Sequence, residues 1–100
     1  MRYYSEYVNH MLRFYARHHD KKDNLKFQKK VDEKNWSIVE KNLDGLSEID
    51  RNVIIEVYKR RDTLSDNVYE VSKELGINQD VIWVIISKLS KKIAKERELI

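Results

Sequence analysis

The chain contains no cysteine. That excludes a disulfide scaffold, a thiolate zinc site and a cysteine nucleophile. It contains no proline and two glycines, at 45 and 76. A β-sandwich or barrel of 100 residues needs a turn every few residues, and such turns draw on Gly, Pro or Asn-Gly. Asp44-Gly45 is the one hairpin-like dipeptide, and helical patterns flank it. The expected fold class is therefore all-α. No apolar run of the length needed to cross a bilayer is present, so no membrane partner is expected. The opening MRYYSEYVNH has no apolar signal core, which leads to the expectation of a cytoplasmic protein.

What is present suits one small helical domain. Hydrophobic residues make up 41%, enough for a packed core and too much for a disordered tail. The formal charge is +3, too small to argue for a nucleic-acid partner unless the cations are gathered in one place. The length allows a single domain, residues 1–100, with an N-terminal helical part over 1–45 and a second part over 46–100. Helical stripes and caps predict four to five helices, near 3–18, 31–43, 47–61, 66–75 and 79–98.

In the first of these, Tyr4, Tyr7, Val8, Met11, Leu12 and Tyr15 form an apolar stripe. Asp20 to Lys30 reads as an exposed loop that Leu25 and Phe27 tack onto the core. Trp36, Val39 and Leu43 mark the buried face of the second helix, with Gly45 suited to a left-handed terminus. Ile49, Val53, Ile54 and Val57 do so for the third, with Ser47 as its N-cap. Thr63 to Asp66 reads as a linker whose last residue caps the fourth helix, and Asn78 caps a long last one.

The stretch DNVYEVSKELGINQDVIWVIISKL has the residue types of a helix-turn-helix. The first helix of such a pair needs an apolar residue followed by a small one where the second crosses it, and Val71 and Ser72 fit, with Ser72 buried at the crossing. Leu75 closes that helix against the core. Gly76 takes the left-handed turn, and Ile77 points inward. Ile82 and Ile85 supply the apolar pair of the second helix.

Residues from about Asp50 to Ile100, about half of the chain, resemble the C-terminal DNA-binding region (region 4) of bacterial sigma factors and the ArpU-type, sigma-like regulators of Gram-positive phages and mobile elements. The residues that carry the likeness are Tyr69 to Ile77, Val81, Leu89 to Ile93 and Ala94 to Arg97. The resemblance implies a four- or five-helix domain and sequence-specific duplex binding.

The exposed positions of the second helix depart from that pattern. Gln79 can pair with adenine and Ser87 can touch base or phosphate, whereas Asp80 repels phosphate and accepts only from cytosine. Val81 to Ile86 is apolar for a whole turn and more, which asks for burial on two sides. Either the first helix covers Trp83 and Val84, or a partner does. Trp83 reads as a core tryptophan, as the anchor of a protein interface, or as a base contact.

Lys88, Lys91, Lys92 and Lys95 share one side of the last helix, as a solvated face or as a ridge on phosphates. A second lysine cluster, with Lys21, Lys22, Lys26, Lys29, Lys30 and Lys34, reads as solubilising. His18 and His19 point about 100° apart on a helix and suit no shared metal. No catalytic constellation is visible, so neither enzyme activity nor a cofactor is expected.

The leading expectation is a transcriptional regulator that inserts the helix from Gln79 into the major groove of double-stranded DNA. Gln79, Asp80, Trp83 and Ser87 would face bases, and Lys88, Lys91, Lys92, Arg60 and Arg61 phosphates. One short helix gives little contact, which favours a homodimer. The alternative is a protein-binding inhibitor from a mobile element, an anti-CRISPR or other anti-defence protein, that uses the apolar patch around Trp83. Its partner would be a host nuclease complex. A third option is a sigma-like piece that docks on RNA polymerase.

Overall fold

The computed structural model describes residues 4–20, 27 and 29–99. Five helices follow in chain order: α1 Tyr4–His18, α2 Lys30–Asp44, α3 Glu48–Lys59, α4 Leu64–Leu75 and α5 Gln79–Glu96. No strand occurs among the described residues, and none of their helices is long and apolar enough to cross a membrane. Tyr3, Leu25 and the lysines Lys21, Lys22 and Lys26 lie outside the described residues.

The periodic stripes become one core. Val8, Met11, Leu12 and Tyr15 of α1 face Val53, Ile54, Val57 and Tyr58 of α3, and all are buried. From α4 come Val68 and Val71, and from α5 Ile82, Ile86, Leu89 and Ile93. α5 is the central member, packing against each of the other four helices. Trp36 joins α2 to α1, its ring centroid 4.6 Å from that of Tyr15 and 5.9 Å from that of Phe14. Phe27 packs against the core with its ring centroid 5.7 Å from that of Trp36. The Tyr58 hydroxyl donates to Asn9 Oδ1 at 2.8 Å and so ties α3 to α1. Its burial pushes the phenol pKa up.

Helix ends follow local chemistry. Ser47 Oγ accepts from the Asp50 amide and Asn78 Oδ1 from the Asp80 amide, as N-caps do. Gly76 is left-handed, at φ 65°, and the Ile77 amide returns to the Ser72 carbonyl, the closing bond of a Schellman motif.

Several expectations need correction. Gly45 is right-handed, at φ −77°, so no left-handed terminus ends α2. α4 begins two residues early, because Thr63 Oγ1 rather than Asp66 takes the capping role by accepting the Asp66 amide. Ile49 lies one turn before Val53, in the first turn of α3, and is 69% exposed. Leu75 is 51% exposed: it lies one turn past Val71, beyond the edge of the core. Ser72 is half-buried, since Val71 takes the crossing and Ser72 lies about 100° away around α4.

Candidate nucleic-acid interface

The α3–α4 loop is fixed from inside. Asn67 is 2% exposed, and its Nδ2 donates to the carbonyls of Arg60 and Asp62, both at 3.2 Å. Arg17 of α1 adds a longer bond to the Arg60 carbonyl at 3.4 Å. These donors satisfy carbonyls that the end of α3 leaves free. The clamp sets where α4 starts, and the Gly76 turn then sets where α5 starts.

The solvent side of α5 is divided. Toward its N-terminus lie Gln79, Asp80, Val81 and Val84, all exposed. Toward its C-terminus lie Ser87, Lys88, Lys91, Lys92 and Lys95, also exposed. None of these four lysines is ion-paired among the described residues. They stand in the half of the helix where the backbone dipole favours cations. Asp80 sits at the opposite, positive end, beside the Asn78 cap.

The apolar patch expected at Trp83 and Val84 does not exist as one surface. Trp83 is half-buried and turned into a small cleft with Tyr4 of α1 and Leu64 of α4. Val84, one residue on, is 51% exposed and faces the other way, toward Leu46 in the α2–α3 turn. There Leu46, Val84, Ile85 and Leu89 line an open groove of about 650 Å³, with Lys88, Lys91, Lys92 and Lys95 along its walls. Trp83 therefore packs partly against the core and borders the cleft beside α1, whereas Val84 is exposed in a separate groove.

Arg60 and Arg61 lie at the end of α3, away from this groove. The Arg60 guanidinium is held by Glu74 of α4 and reaches Glu56 at 3.6 Å. The hydrogen bond with Glu74 raises the Arg60 pKa and lowers that of Glu74. Arg60 is therefore already partnered, whereas Arg61 is exposed. His18 and His19 pack their rings on Phe14 and Tyr15, centroids 4.8 and 6.0 Å apart.

Two features escaped the sequence reading. Asn67 was not singled out from the sequence. Leu46 was not singled out either, and nothing in the chain order hints that it stands beside α5. No family model, curated protein or solved structure matches the chain.

Proposed function

We propose that the chain is a small duplex-DNA-binding regulator of the sigma-like kind, with α5 as the helix that enters the major groove. The observation that carries this reading is the row of four exposed lysines on α5, none ion-paired among the described residues, on the helix that leaves a left-handed glycine turn. Lys88, Lys91, Lys92 and Lys95 hold phosphates and fix the register. Gln79 and Ser87 supply the hydrogen-bonding groups that meet base edges. Asp80 limits the neighbouring position to a donor such as the cytosine amino group. Arg61 adds a phosphate contact more readily than Arg60, which Glu74 occupies. With few reading groups per protomer, a specific site calls for a homodimer on two half-sites. The Trp83-anchored inhibitor has less support, because Trp83 is half-buried and Val84 lines a different groove, so the two form no single apolar patch.

The test is a titration of mixed-sequence duplexes followed by fluorescence anisotropy. Four neutralised phosphates give a log–log salt slope of about −3 to −4, or about a hundredfold loss between 50 and 200 mM salt. Reversing Lys88, Lys91 and Lys92 to Glu removes binding to every sequence. Gln79→Ala costs about 1–3 kcal/mol at one preferred site and spares non-specific binding. Absence of any low-salt binding at micromolar protein rejects the reading.

A further inference from the structure

The groove beside α5 has a chemistry that phosphate contact alone does not use. Its floor is aliphatic: Leu46 from the α2–α3 turn, and Val84, Ile85 and Leu89 from α5. Its walls are cationic, with four lysines against the single carboxylate of Asp50. From Val84 to Lys95 it follows about 16 Å of α5, the length of three helical turns. A DNA backbone would pair with the lysines and leave the floor in water. A strip of apolar side chains flanked by carboxylates would satisfy both.

We infer that this groove is the docking site for an acidic amphipathic helix of a partner protein. Leucine-like side chains at three- and four-residue spacing would lie on Val84, Ile85 and Leu46. Flanking Glu and Asp would meet Lys88, Lys91, Lys92 and Lys95. The charge balance disfavours a second copy docked through the same face, which would bring four like charges of its own to the contact. Because the lysines of the groove are those assigned to phosphates, an occupied groove excludes the duplex. That consequence rests on the duplex-binding reading, whereas the docking site itself does not. The partner would act as an antagonist of DNA binding.

The probe is a synthetic acidic peptide of about 15 residues, with leucines at helical spacing and glutamates around them, labelled for anisotropy. Its control is a scrambled peptide of identical composition. The expected result is binding about tenfold tighter than that of the scramble. Val84→Gln should weaken the peptide by about fivefold or more while leaving duplex affinity within about twofold, because the change removes floor and no charge. Val84 is exposed, so the variant keeps the fold, which circular dichroism verifies. Reversal of Lys88, Lys91 and Lys92 to Glu should abolish both ligands, and unlabelled peptide should displace labelled duplex.

Equal binding of the scramble reduces the site to bare charge and overturns the proposal. A concentration-dependent dimer that Val84→Gln dissolves gives the groove to a second copy and also overturns it. Duplex binding without peptide binding overturns the docking site alone. Peptide binding without duplex binding upholds the docking site and rejects the DNA reading.

Discussion

The two glycines offer a measurement in which one substitution has opposite signs. At Gly76 the backbone is left-handed, φ 65°, and an added Cβ would meet nothing within 4 Å. Gly76→Ala therefore suffers no clash with the surroundings, only the strain of an L-residue in that conformation, about 1–2 kcal/mol. At Gly45 φ is −77°, which alanine adopts freely, and the new Cβ would sit 3.5 Å from the Asn42 carbonyl oxygen, an ordinary contact. Both variants narrow the unfolded ensemble equally, a gain of about 0.4–1 kcal/mol. Gly45→Ala should thus stabilise by that amount. Gly76→Ala should destabilise by about 0–1.6 kcal/mol, the strain less the same gain. The difference between the variants cancels the unfolded-state contribution and isolates the left-handed strain. Urea unfolding followed by circular dichroism measures it, and thermal midpoints should separate by about 4–8 °C per kcal/mol. Equal shifts in the two variants would refute the reasoning, as would a Gly45→Ala protein less stable than wild type.

Other outcomes follow from the same geometry. Glu98 has φ 63° after α5, so Glu98→Gly should gain up to about 1 kcal/mol by relieving that strain, read by thermal unfolding. Asn67→Ala should cost about 1–3 kcal/mol through the carbonyls of Arg60 and Asp62 that lose their donor, and Asn67→Asp should cost more, since a carboxylate cannot donate to them. Thr63→Ala should cost about 1 kcal/mol in urea midpoint analysis, and Ser65→Ala far less, because Thr63 is the residue whose hydroxyl takes the Asp66 amide. Burial raises the Tyr58 pKa above its ordinary value near 10, so above pH 10 the unfolded state loses its proton first. The stability Tyr58 contributes is present in full below pH 10 and falls by about 1.4 kcal/mol per pH unit above it. Tyr58→Phe should flatten that decline, and a wild-type-like alkaline profile in the variant would reject the assignment.

Features that depend on neighbours a few residues apart were legible in the sequence. In the stripes, Val8, Met11, Leu12 and Tyr15, and Val53, Ile54 and Val57, turned inward, whereas Tyr7 of the first stripe is 37% exposed and Tyr4 half-buried; Ser47, Gly76 and Asn78 end or begin helices as their local chemistry dictates. Errors gathered where tertiary position decides. Ile49 and Leu75 fit their stripes, yet each falls at a helix end that overruns the core. Gly45 permits a left-handed backbone without requiring one. Of the candidate site, the exposed lysines of α5 were visible as a helical row, because solvent exposure of a charged stripe is the default. The division of Trp83 from Val84 was not visible. It depends on which neighbours meet each residue: Tyr4 and Leu64 lie beside Trp83, and Leu46 of the α2–α3 turn lies beside Val84.

The central place of α5 links surface events to the whole molecule. A helix that touches all four others cannot detach while the rest stays folded. The amides of its inner turns, around Ile82, Ile86 and Ile93, should therefore exchange with deuterium only when the entire domain opens. Any ligand held by the outer face of α5 draws on that same equilibrium. Its binding free energy should appear as slower exchange in α1 and α3, far from the bound surface, to the extent that it favours the folded state.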